Sequence, residues 1–113
     1  MAGIRKLAAE ELLKDVPPDK RFWCQDGRVL KNMRDLEVAL NEMGEVTFRN
    51  HCNETKNDFS KWVKDVVGDK ELSKDLQKST SRTESAKRVA DRITWLKLLA
   101  EWSPLFRPPG WPF

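Results

Sequence analysis

Few residues in this chain could do chemistry together, and the first to consider are Asn50-His51-Cys52-Asn53. An imidazole beside a thiol suggests a cysteine nucleophile with a histidine base, which needs the two side chains within hydrogen-bond reach. Neighbours on a helix point about 100° apart, so His51 is poorly placed to activate Cys52. Nothing in the sequence implies a third group to orient the imidazole. The expectation is a small core residue at Cys52 and a histidine at the helix edge. A metal centre built from His51, Cys52 and Cys24 would require the segment around Cys24 to fold onto this helix. No metal and no cofactor is expected.

Asp58 and Asp65 come next, with Trp62 on the same helical face and Lys61 and Lys64 at its flanks. Seven positions on a helix separate two carboxylates by about 10 Å, too far to share a proton or one metal ion. The segment offers recognition instead: Asn53, Asn57, Asp58 and Trp62 would set polar groups around an aromatic anchor. Basic side chains form two clusters, Arg28, Lys31 and Arg34 in one and Lys87, Arg88 and Arg92 in the other. Either could contact phosphates. Asp26, Asp35, Glu84 and Asp91 are interleaved with them, the pattern of a solvated face. No phosphate loop, nucleophile elbow or zinc-protease helix is present. No catalytic residue is therefore assigned, and no small-molecule substrate is expected.

The elements that would position these residues follow from periodicity. Ile4, Leu7, Ala8 and Leu12 have helical spacing, and Pro17-Pro18 stops that helix. Residues 1–18 thus read as an N-terminal helix or appendage. Asp26-Gly27 between Phe22-Trp23-Cys24 and Val29-Leu30 marks a tight turn, giving a small two-stranded hairpin near residues 21–31. Asn32 is an N-cap for a helix with Met33, Leu36, Leu40 and Met43 on one face, ended at Gly44. Phe48, Cys52, Thr55, Phe59, Trp62, Val63 and Val66 make one apolar stripe, which predicts a single long helix with a potential break at Asn57-Asp58. Gly68 ends it, and Asp69 caps a short helix carrying Leu72 and Leu76. Ser81 and Glu84 form a capping box before a helix that buries Ala86, Val89, Ala90, Ile93 and Leu96. The expected fold is mainly α: a compact bundle of four to five helices with one small hairpin, a single domain over residues 19–102, and a tail over 103–113.

Several words in this order carry a resemblance: Asp26-Gly27-Arg28-Val29-Leu30-Lys31-Asn32-Met33, Phe48-Arg49-Asn50-His51-Cys52-Asn53, Lys56-Asn57-Asp58-Phe59 with Trp62, and Asp65-Val66-Val67-Gly68-Asp69. On these words, residues 22–96 resemble a small, largely archaeal family of uncharacterised domains. The resemblance implies an accessory or interaction domain and assigns no activity. Cys52 stands where the family pattern usually carries an aliphatic residue, in keeping with a core position. The first helix and residues 102–113 lie outside the resemblance.

Composition narrows the function classes. The chain has 113 residues, 39% hydrophobic and 35% charged, with a net charge of +3 from 21 basic and 18 acidic side chains. That suits one globular domain with a heavily charged surface. No apolar run reaches the roughly 20 residues of a membrane span. Residues 1–14 lack the apolar stretch of a signal peptide, and two cysteines are too few for a disulfide scaffold, so a cytoplasmic protein is expected. The segment Trp102 to Phe113 holds four prolines, one charge and five large apolar side chains. With Trp95, Leu98 and Leu99 on the preceding helix, it presents more apolar surface than the few hundred Å² a monomer usually leaves wet. Trp95, Leu98, Leu99, Trp102, Phe106, Trp111 and Phe113 are therefore the expected anchors, buried against this chain, a second copy or a protein partner. The expected function is a non-enzymatic interaction module in a larger assembly. The alternative is a small nucleic-acid-binding protein using the two basic clusters.

Overall fold

The computed structural model describes the backbone of residues 2–101 and the side chains of residues 6–101. Helix α1 runs from Ala2 to Leu13, and Pro17-Pro18 leads into a single 3₁₀ turn, Pro18–Lys20. Strands β1 (Phe22–Trp23) and β2 (Val29–Leu30) pair antiparallel, with Phe22 opposite Leu30 and Trp23 opposite Val29. In the turn only Gly27 takes a positive φ, +95°; Asp26 instead accepts the Arg28 N–H on its carboxylate at 3.1 Å. Then follow α2 (Met33–Glu42), α3 (Glu45–His51), α4 (Asp58–Trp62), a π-helical turn at Val63–Val67, α5 (Lys70–Lys78) and α6 (Arg82–Glu101). None of these helices is long and apolar enough to cross a membrane.

Six α-helices stand among the described residues where four to five were expected. The extra boundary falls in the long apolar stripe, which is divided between α3 and α4. Asn53 makes the break: its Oδ1 accepts the Thr55 N–H and hydroxyl at 3.0 and 2.8 Å, and its own N–H bonds the Lys56 carbonyl. Asn57 restarts the helix by accepting the Ser60 N–H at 3.0 Å. Asparagine side chains thus outcompete the helical hydrogen bonds over residues 52–57. Phe48, Cys52, Phe59, Trp62 and Val63 remain buried across the break, whereas Thr55 is exposed.

The other caps follow the side chains foreseen for them. Asn32 accepts the Asp35 N–H at 2.8 Å, Asp69 accepts the Leu72 N–H at 3.1 Å, and Ser81 accepts the Glu84 N–H at 3.1 Å. Gly68 ends the π-helical turn at φ +92°, in the left-handed region that favours glycine.

Helix α6 is the spine. At its first turn the Arg82 guanidinium donates to the Leu40 and Asn41 carbonyls at 2.7 and 3.1 Å, satisfying the end of α2 and setting the two helices antiparallel. The other end of α2 holds the end of α1: Asn32 donates to Asp15 at 2.7 Å, and the Val16 N–H bonds the Lys31 carbonyl. Helix α1 packs mainly on α6 and only slightly on α2. Ala9 is buried in the core, and Leu12 and Leu13 pack against it, so α1 joins the packed body through these residues. Helices α4 and α5 are joined by two buried serines. Ser60 donates to the Ser73 carbonyl at 2.9 Å and Ser73 to the Ser60 carbonyl at 3.0 Å.

Candidate functional site

His51 ends α3, and its ring is buried between the hairpin and α4. Phe22 meets it edge-on with centroids 5.1 Å apart, and Phe59 lies 5.4 Å away. The Gln25 N–H donates to Nε2 at 2.9 Å, so that nitrogen carries no proton in this arrangement. Nδ1 then holds the proton and faces Asp58 Oδ2 at 3.0 Å, with Lys56 donating to the same oxygen at 3.1 Å. The tautomer follows from these partners. Burial pushes the Asp58 carboxyl up, but hydrogen bonds from His51 and Lys56 outweigh it and hold the group below its ordinary range.

Asp58 is thus the orienting carboxylate that the sequence reading did not find, seven residues from His51 and across a loop. It does not make a catalytic base, because both ring nitrogens are engaged and none is left for a thiol or a substrate. The neighbouring thiols are poor nucleophiles as well. Burial, then the charge of Asp26 against that of Arg28, pushes the Cys24 thiol up to about 11. Burial likewise raises Cys52. The hairpin does fold onto this helix end, yet among the described residues no group of three His, Cys, Asp or Glu side chains could hold a metal ion.

The recognition patch foreseen at Asn53, Asn57, Asp58 and Trp62 is engaged internally. Trp62 is buried and its Nε1–H donates to the Lys20 carbonyl at 2.9 Å, so it cannot serve as an exposed anchor. Asn57 caps α4 and donates to the Leu76 carbonyl at 3.0 Å. Asn53 shapes its own loop. A groove of about 430 Å³ opens beside them, lined by Arg49, Cys52, Thr55, Lys56, Gln77 and Thr80 among others. Its asparagines are satisfied by the loop and by α3, α4 and α5, and the polar groups left for a ligand sit on exposed side chains.

The basic clusters are largely neutralised. Arg28 pairs with Asp26 and Glu42 at 3.0 and 2.7 Å, Lys31 with Asp35, Lys87 with Asp91 and Arg88 with Glu84. Arg92 is drawn inward and grips Asp69 with two bonds of 2.7 and 2.9 Å; that carboxylate is 1% exposed. Of the six basic residues, Arg34 alone makes no ion pair among the described residues.

Among the described residues the exposed large apolar side chains are Leu7, Trp23, Val29, Val38 and Val46, and the outer face of the hairpin brings two of them together. The pleat turns Phe22 and Leu30 into the core and Trp23 and Val29 out, as a cross-strand pair. Trp23 is 70% exposed, and Val38 of α2 borders the same shallow depression as Val29. In a strand the pleat must turn one of the adjacent aromatics Phe22 and Trp23 outward, but two residues give no sequence signal for which one. At the far end of α6, Trp95, Leu98 and Leu99 are half-buried, Leu99 packs on the core, and α1 lies alongside. Trp102, Phe106, Trp111 and Phe113 fall outside the described residues.

Comparison with protein-family models, with curated proteins and with solved structures gives no match for this chain.

Proposed function

We propose that this chain is a non-enzymatic docking module that inserts Trp23 into an apolar pocket of a protein partner. The observation that carries the reading is a tryptophan 70% exposed on the hairpin, with Val29 as its cross-strand neighbour and Val38 bordering Val29. A side chain of this size buries about 150–250 Å² when covered, worth a few kcal/mol at about 25 cal/mol per Å². Tryptophan is among the commonest residues to dominate an interface. The hairpin is held from behind by Phe22, Gln25 and Leu30, so Trp23 is presented on a backbone already ordered, and binding loses little further freedom. The engaged ring nitrogens of His51 and the protonated thiols favour this over an enzyme. Ion pairing of the basic clusters favours it over phosphate contact. The half-buried end of α6 together with Trp102, Phe106, Trp111 and Phe113 is the second proposed contact, and the accessory or interaction role implied by the resemblance to a family of uncharacterised domains agrees with a module of this kind.

The test is Trp23→Ser in quantitative affinity capture against wild type. The variant is expected to keep its melting temperature and to lose at least tenfold of the co-purifying protein partner at both low and high salt. Undiminished recovery with an unchanged fold would refute the docking role.

A further inference from the structure

We propose that His51 is a proton-sensitive latch: the neutral imidazole holds the turn of the Phe22–Leu30 hairpin against α3 and α4, and a proton arriving on Nε2 releases it. The Gln25 N–H points at Nε2 from 2.9 Å, and this is the polar bond between the hairpin turn and the helix end. A proton on Nε2 and the Gln25 N–H cannot both occupy that gap, because two donors then face each other in a buried site. Nδ1 cannot take the proton, since it already carries one toward Asp58. The imidazolium remains welcome in the pocket on its other side, where the Asp58 carboxylate sits at 3.0 Å. Protonation therefore keeps the ring in place and moves the hairpin turn.

The other ionisable groups around the contact keep their charge state, which leaves the imidazole as the latch. Asp58 from α4 stays ionised, held below the ordinary carboxylate range once the bonds from His51 and Lys56 have overcome its burial. The Cys24 and Cys52 thiols flanking the contact stay protonated. On the hairpin side the charged groups are Arg21, whose buried Nε has no acceptor, and Asp26 with Arg28, which pair with each other. Arg49 on α3 and Lys61 on α4 are exposed. The closed hairpin needs a bare Nε2 and the open one does not, so the open form binds the extra proton. Closure is complete where the imidazole is neutral and is lost as acid titrates it. Leaving the Gln25 donor and the new Nε2 donor unmatched corresponds to about a tenfold to hundredfold rise in opening of the turn.

The latch does not depend on what the outer face of the hairpin binds, and its test uses the protein alone. Amide exchange protection and NMR shifts of the full chain are followed from about pH 8 to about pH 5, the range in which histidine commonly titrates. Protection factors at Gln25 and Arg28 are expected to fall about tenfold to a hundredfold in step with the His51 ring signal, while Val89 in α6 keeps its protection. In His51→Gln the side-chain carbonyl can accept the Gln25 N–H at every pH, and the transition should vanish. In Asp58→Asn the imidazolium loses its carboxylate, and the transition should move to lower pH. Gln25 protection that stays constant while the His51 ring titrates overturns the proposal, as does a transition that Asp58→Asn leaves in place.

Discussion

Replacing Arg92 by methionine keeps the apolar stem and removes the guanidinium from a carboxylate that is 1% exposed. Asp69 would then retain the Leu72 N–H at 3.1 Å and lose bonds of 2.7 and 2.9 Å. Breaking one partner of a buried pair costs about 3–5 kcal/mol, because the remaining charge stays buried. The lower end applies here, since Arg92 itself is 23% exposed and water can approach the gap. Against a total stability of about 5–15 kcal/mol, such a loss should lower the melting temperature by about 10–20 °C. Thermal and urea unfolding measure it, with Lys87→Met as control: that residue pairs with Asp91 where both are exposed, and under about 0.5 kcal/mol is expected. Adding Asp69→Asn to Arg92→Met should recover about 1 kcal/mol or more by removing the stranded charge. If Arg92→Met unfolds within about 0.5 kcal/mol of wild type, the pair is not a structural tie and Arg92 returns to the exposed cluster available for phosphate contact.

Cys52→Val should leave stability within about 1 kcal/mol of wild type, whereas Cys52→Asp, a carboxylate in a buried site, should cost several kcal/mol; chemical unfolding of the two distinguishes them. Native Cys24 should alkylate slowly at neutral pH and rapidly once denatured, as its raised thiol requires. Ser60→Ala and Ser73→Ala should each cost about 1 kcal/mol by removing a buried hydrogen bond between α4 and α5, and the double variant should fall short of their sum, since each serine contacts the other at 2.8 Å. Truncation after Ser103 should lower the melting temperature if the removed segment covers the end of α6. It should spare stability and reduce partner capture if that segment is bound from outside, and a truncated chain that keeps both excludes a role for Phe106, Trp111 and Phe113.

Local signals made much of the fold legible. Asp26-Gly27 marked the hairpin, and Asn32, Asp69 and Ser81 marked helix starts because each offers a side-chain oxygen to backbone N–H groups within its own first turn. The divided helix was harder to read, since an apolar stripe with steps of three and four persists in burial even where Asn53 and Asn57 redirect the backbone. Ties across distance left no local mark. Asp69 and Arg92 are 23 positions apart, Arg82 reaches α2 from 41 and 42 positions away, and the Gln25 N–H finds His51 across 26. Periodicity reports which face of a helix is apolar and says nothing of which cation will be drawn inward. For that reason Arg92 looked like a surface residue and Trp62 like an exposed anchor. Trp23 was passed over for the opposite reason: a strand of two residues is too short for its alternation to register as a pattern.

The central claim is that the outer hairpin face meets a protein, and photo-crosslinking from that face tests it most directly. A photoreactive amino acid is placed at Val29, the cross-strand neighbour of an intact Trp23, and, in a second protein, at exposed Lys70 on α5, and each is irradiated in native extract. The docking reading requires a discrete, nuclease-resistant protein adduct from position 29 that position 70 does not give. Equal labelling from both positions, an adduct removed by nuclease, or no adduct from position 29 would contradict it.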